Sequence, residues 1–124
     1  MLREIGAYLA TKSIGTVGTD IFLGLMPDQP DNCIALFEYA GSPPDLHWAG
    51  EYPGLQVRVR NKSYAAGRAK IEEVVKELHG AHELTLNGTR YLLIKARGSP
   101  EVLKRDNNNR VELFVNFEII KERD

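Results

Sequence analysis

Residues 80–120, GAHELTLNGTRYLLIKARGSPEVLKRDNNNRVELFVNFEII, hold a tight turn, a break, a polar loop and a long strand in that order. Asn87-Gly88 is the favoured pair for a type I′ turn, because both central residues need positive φ. A two-residue loop there sets Leu86 opposite Thr89 and Leu84 opposite Tyr91. Leu84, Leu86, Tyr91 and Leu93 then share one face of a hairpin over His82–Ala96. Gly98-Ser99-Pro100 breaks that strand, Val102-Leu103 reads as a short edge extension, and Arg105–Arg110 is a polar loop. Val111, Leu113, Val115, Phe117 and Ile119 alternate with Glu112, Phe114, Asn116 and Glu118, the period of a strand buried on one face. Phe114 is an aromatic on the nominally polar side, so either a second layer or a neighbouring subunit covers it.

Upstream, Leu55-Gln56-Val57-Arg58-Val59-Arg60 repeats the same alternation, with Leu55, Val57 and Val59 inward and Gln56, Arg58 and Arg60 outward. Ser63 stands at an N-cap position ahead of a helix, Tyr64–His79, that places Ile71, Val74, Val75 and Leu78 on one face. Gly80 supplies its left-handed C′ residue, and Arg68/Glu72 and Glu72/Lys76 are i, i+4 pairs on a solvated side. Nearer the start, Leu2, Ile5 and Leu9 with Tyr8 define an amphipathic helix over residues 1–12. Strands are expected at Asp20–Leu25 and Cys33–Tyr39, pairing as a loose hairpin across a turn with two prolines. Ala40–Gly54 carries three prolines and no period, so it reads as a long flexible loop. Its ring side chains, His47, Trp48 and Tyr52, argue against plain disorder. They either dock the loop onto a partner or, in the case of Trp48, pack it back onto its own core. Lys121–Asp124 is expected to fray. The elements add up to one α+β domain over residues 1–124, a mostly antiparallel sheet with an N-terminal helix and one longer helix packed on one face.

Composition narrows the function more by exclusion. Sixteen basic and 17 acidic residues give a net charge of −1, so no global field draws the chain to nucleic acid or an anionic membrane. The sequence has no apolar run of membrane-spanning length. The segment Met1-Leu2-Arg3-Glu4-Ile5 has no apolar signal-peptide core, so a reducing cytoplasm is the expected compartment. Cys33 is the sole cysteine and sits in an apolar run, where it reads as a small core residue.

No Gly-x-Ser-x-Gly, P-loop or dinucleotide glycine fingerprint is present. Ser13, Ser42, Ser63 and Ser99 lie in turn or cap contexts, and Glu72-Glu73 lies on an exposed helix face. His79 and His82 are three apart but separated by the helix-ending Gly80, which denies them a common face for a metal. His79 instead reads as a charge complementing the helix C-terminus. The chain is therefore read as a non-enzyme with no cofactor and no metal. Residues 58–70 hold Arg58, Arg60, Lys62, Arg68 and Lys70 with no acid. That stretch fits either single-strand nucleic-acid contacts or ion pairs to a neighbour's Glu112 or Glu118.

Several segments taken together resemble a known family. They are Leu55-x-Val57-x-Val59-Arg60, Ser63-Tyr64 opening a helix that ends Leu78-His79-Gly80, the Gly88 hairpin, Gly98-Ser99-Pro100, and Arg105-Asp106…Arg110-x-Glu112-x-x-Val115-Asn116-Phe117. In order and spacing, over about residues 55–120, they are similar to the minor capsid or tail terminator proteins of long-tailed bacteriophages and prophages. Lys104-Arg105-Asp106 lacks the glycine expected in relatives at that turn.

The resemblance implies a structural protein that forms a hexameric ring on the head-proximal end of the tail tube. Such a ring stops tube growth and presents the joining surface for the head. The implied partners are further copies of the chain, the tail tube protein and the head–tail connector protein, with DNA passing through the channel without sequence-specific binding. The implied location is the host cytoplasm during assembly and then the virion tail. Another head–tail connector or tail-completion protein, and a small nucleic-acid-binding module, are the competing readings. The residues put forward for an assembly interface are His47, Trp48, Tyr52, Arg58, Arg60, Arg105, Arg110 and Phe114, chosen for aperiodic loops, outward charge and an outward aromatic.

Overall fold

A computed structural model describes residues 1–123. Its elements run α1 (Leu2–Thr11), β1 (Ile21–Leu23), β2 (Cys33–Ser42), β3 (Gly50–Asn61), α2 (Tyr64–Leu78), β4 (His82–Leu86), β5 (Thr89–Ala96), β6 (Glu101–Arg105) and β7 (Val111–Glu122). The strands form one sheet in the order β1-β2-β3-β7-β5-β4, and β6 joins β7 beside the first half of that strand. Both helices lie on one face. Ile5 and Leu9 of α1 and Ile71, Val74 and Leu78 of α2 share a single core with the inward residues of β2, β3, β5 and β7. The architecture is α+β with a mostly antiparallel sheet, as the alternation and the two helical periods require.

The second half of the chain follows its local chemistry. The Ser63 hydroxyl accepts the Ala66 N–H at 3.2 Å, capping α2, and Gly80 takes φ 83° after the helix. Arg68 and Glu72 pair at 3.2 Å on the exposed side. Asn87 and Gly88 both have positive φ, and Leu86/Thr89 and Leu84/Tyr91 are partners. Val111, Leu113, Val115, Phe117 and Ile119 are all buried. Burying each such side chain contributes roughly 1.5–3 kcal/mol, which makes β7 the spine of the core.

Six local expectations fail for identifiable reasons. A bulge between Tyr91 and Leu93 inverts the alternation of β5, so Ile94, not Leu93, joins Tyr91 in the core. β1 and β2 are parallel, with Ile21 beside Ile34, and are not a hairpin. The connection between them folds across the helix-free face, where buried arginines hold its carbonyls, and returns to start β2 alongside the start of β1. The aperiodic stretch 40–54 is mostly strand: β2 runs to Ser42 and β3 starts at Gly50, with Ser42 opposite Tyr52. Gly41 permits this, since a Cβ there would lie 1.9 Å from the Tyr52 carbonyl oxygen.

His79 does not turn its ring to the helix C-terminus; its Nδ1 accepts the Ala96 N–H at 2.9 Å. Arg60 is not an outward surface residue; it is 4% exposed. The charged tail does not fray at its start, for Lys121 is 1% exposed within β7 and pairs with Glu51 at 2.5 Å. Asp124, the last residue of that tail, lies outside the described residues.

Candidate assembly surface

Beyond the helices, β2 and β3 continue as an arm that ends in the loop of residues 43–49. Asp45 organises its tip. Its Oδ1 accepts the His47 N–H at 2.8 Å, and its Oδ2 accepts the Tyr52 hydroxyl at 2.7 Å. Tyr52 in turn accepts the Trp48 Nε1–H at 3.1 Å, and the two rings meet edge to face with centroids 6.4 Å apart. The Asp45 N–H bonds the Gly50 carbonyl at 3.0 Å, and the Arg123 N–H bonds the Ala49 carbonyl at 2.9 Å, tying the tip to the end of the chain. Gly50 is required because a Cβ would lie 2.0 Å from the Trp48 ring. The hydrogen bond from Tyr52 holds the Asp45 carboxyl below its ordinary pKa and raises that of the Tyr52 hydroxyl.

The aromatic rings of this loop are therefore its scaffold. What the scaffold presents is Leu46, 93% exposed at the apex, with His47 exposed beside it.

On the helix-free face, Phe37, Gln56, Arg58, Phe114 and Asn116 form a continuous half-buried strip across β2, β3 and β7. The Arg58 guanidinium lies over the Phe37 ring, 4.8 Å from its centroid. Its Nε donates to Gln56 Oε1 at 2.7 Å, and Gln56 Nε2 donates to Asn116 Oδ1 at 3.0 Å. In the ladder, Phe114 stands between Arg58 of β3 and Glu101 of β6. Arg58 and Phe114, named separately from the sequence, are thus neighbours on one surface.

Arg60 and Arg110 belong to a different structure. Arg60 donates to the carbonyls of Pro27 at 2.6 Å, Pro30 at 2.7 Å and Asp31 at 3.0 Å. Arg110, 3% exposed, pairs with Asp28 at 3.0 Å, Asp31 at 3.2 Å and Asp106 at 2.8 Å. Together they clamp the β1–β2 connection over the sheet, so neither guanidinium is free for a partner. Burial alone would raise the Asp31 and Asp106 carboxyls. Lys62 and Arg110 outweigh it at Asp31, and hydrogen bonds from Arg110 and Asn108 outweigh it at Asp106, so both lie below their usual range. Arg105 is exposed and bonds Asn109 at 3.2 Å, closing the turn to β7.

Among the eight named residues the structure groups Trp48 and Tyr52 beneath exposed His47, pairs Arg58 with Phe114, and buries Arg60 and Arg110. Leu46, Asp45 and Phe37 escaped notice. A lone leucine amid prolines was the available signal for the first, and an acid seven residues before a tyrosine carried none. Among the described residues no group of three or more His, Cys, Asp or Glu is placed to hold a metal. No described helix is long and apolar enough to cross a membrane.

Sequence comparison decides the family. The profile of the bacteriophage tail terminator protein family matches residues 8–123. The chain belongs to that family. It is a structural component of phage tails by membership, in agreement with the order of segments noted from the sequence. Its fold is similar to that of a chain in the virion of the native gene transfer agent (GTA) particle, with a TM-score of 0.67 and 18% identity, over 96% of this chain and 84% of the other. Among curated proteins, none matches the sequence significantly.

Proposed function

We propose that this tail terminator family member closes a ring, six copies round, on the head-proximal end of the tail tube. There it stops tube polymerisation and offers the surface that receives the head–tail connector. Family membership over residues 8–123 is the observation that carries the reading. The geometry supports it with two kinds of contact surface on one small domain: a braced arm tipped by Leu46, and the Phe37–Arg58–Phe114 strip. A ring needs two different patches on each copy, and stable contacts bury on the order of 1,200–2,000 Å2. The proposed partners are further copies of the chain, the tube protein and the connector protein. DNA crosses the channel without being read. Assembly takes place in the host cytoplasm and the ring stays in the virion tail.

The burial of Arg60 removes one of the two arginines on which nucleic-acid binding would have rested. A phage deprived of this protein tests the proposal. Tubes of uncontrolled length and heads without tails are the expected outcome, whereas joined particles with tails of normal length would refute it.

A further inference from the structure

Two of the open backbone edges of the sheet, along β2 and along β6, lie on opposite sides. On one side, the Ile34 N–H donates to the Asp20 carbonyl at 2.7 Å, and the Leu36 carbonyl accepts the Gly24 N–H at 2.8 Å. Even-numbered residues of β2 as far as Glu38 therefore turn their backbone groups away from β3 and toward β1, before the register shifts between Tyr39 and Ser42. β1 stops at Leu23, and Gly24, at φ 79°, leads the chain away. β2 continues to Ser42, and past Leu36 no further strand lies on that edge among the described residues. Glu38, exposed and ahead of the irregularity between Tyr39 and Ser42, thus points its amide and carbonyl off the sheet. On the other side, β6 is bonded along one edge to β7, and all five of its residues are exposed, including Val102 (49%) and Leu103 (42%). It carries Glu101 as well as Lys104 and Arg105, and Lys104 lies 3.9 Å from Glu112 of its own chain.

We propose that neighbouring copies join by strand addition, the free edge of β2 around Glu38 of one copy pairing with the free edge of β6 of the next. This rests on the ring reading above and specifies its subunit contact. Unpaired strand edges are templates for pairing, and natural proteins guard them with charges and bulges. β6 has both guards, Lys104 and a bulge between Val102 and Lys104, and β2 has Glu38.

The guards narrow the choice of partner. Pairing β2 with β2 brings Glu38 against Glu38 and is repelled, whereas antiparallel pairing of β6 with β6 sets Glu101 beside Arg105 and is not excluded by charge. Glu38, opposite Leu55, and Arg105, opposite Val111, both project to the helix-bearing face, so pairing β2 with β6 sets Glu38 beside Arg105. The contact uses a different patch on each copy, the heterologous type that closes rings. β4, the remaining outer strand, is a poorer match for β2. Its Glu83 has φ 50° and repeats the sign of Glu38.

Cross-linking tests the pairing, on the chain alone and at the ends of assembled tail tubes. In a Cys33→Ala background, a short bismaleimide applied to the Glu38→Cys, Arg105→Cys double variant is expected to yield multimers up to the closed ring. Glu38→Cys with Thr85→Cys in β4 is expected to yield none. Glu38→Pro removes an N–H that β3 does not use, so the domain should keep its circular dichroism and lose ring formation. Should that variant misfold, the charge swap decides: Glu38→Lys abolishes rings and added Arg105→Glu restores them. Rings that persist in folded Glu38→Pro, cross-link through Thr85, or ignore the swap overturn the edge pairing and leave the ring itself standing. A wild-type chain that forms no ring in either setting overturns both.

Discussion

Lys121, almost at the end of the last strand, forms an ion pair with Glu51 at the start of β3, Nζ to Oε1 2.5 Å, while itself only 1% exposed. Its ammonium also donates to the Glu122 carbonyl at 3.0 Å and lies 5.7 Å from the centre of the Tyr91 ring. The contact sits where the arm leaves the sheet, so it fixes the base of the arm to the spine of the core. Glu51→Ala leaves a buried ammonium short of a partner and is expected to lower stability by about 1–3 kcal/mol. The double variant Glu51→Met with Lys121→Met removes both charges while keeping the volume and is expected to be nearly neutral. Urea unfolding of the two variants checks the asymmetry.

Removing the Tyr52 hydroxyl with Tyr52→Phe frees both Asp45 Oδ2 and the Trp48 indole from the tip network. Amide exchange at residues 45–50 should quicken while exchange in β7 stays unchanged. Because a loose tip must be ordered again on binding, attachment to tube ends should weaken with no fall in the melting temperature.

Acid should release the β1–β2 connection. Asp31 and Asp106 have carboxyls held below their ordinary pKa by Lys62, Arg110 and local amides. A depressed carboxyl contributes stability that is fully present above its unfolded value of about 3.9 and is lost as pH falls through the folded value. Melting temperature should therefore hold between neutral pH and about 5 on this account and decline below about 4. Asp31→Asn with Asp106→Asn should flatten that decline, and Arg110→Met should do the same.

Phe117 and Phe114 lie three residues apart on β7 and should behave as opposites. Phe117 is fully buried, and Phe117→Ala is expected to cost about 3–5 kcal/mol. Phe114 is half-buried on the helix-free face, and Phe114→Ala should cost about 1 kcal/mol or less while impairing assembly. Denaturation midpoints set beside ring formation by light scattering separate the two effects.

The second half of the chain was legible because its signals are local. Asn87-Gly88, Ser63, Gly80 and the alternation of β7 each state a backbone geometry or a buried face within a few residues. The bulge at Leu93 was not legible, since it answers to pairing with β7. Arg60 and Arg110 looked like surface charges because alternation shows which way a side chain points and says nothing of a distant loop folding over it. The arm was hidden by its prolines and glycines, whose roles depend on contacts across the hairpin, such as Gly41 against the Tyr52 carbonyl. Trp48 and Tyr52 were rightly singled out as ordered, but Leu46, the residue they hold forward, has no pattern of its own.

Electron microscopy of purified protein mixed with growing tail tubes tests the central claim most directly. The account predicts a six-fold ring at one end of each tube and an end to elongation there. Protein scattered along tube walls, or capped tubes that go on growing at the capped end, would contradict it.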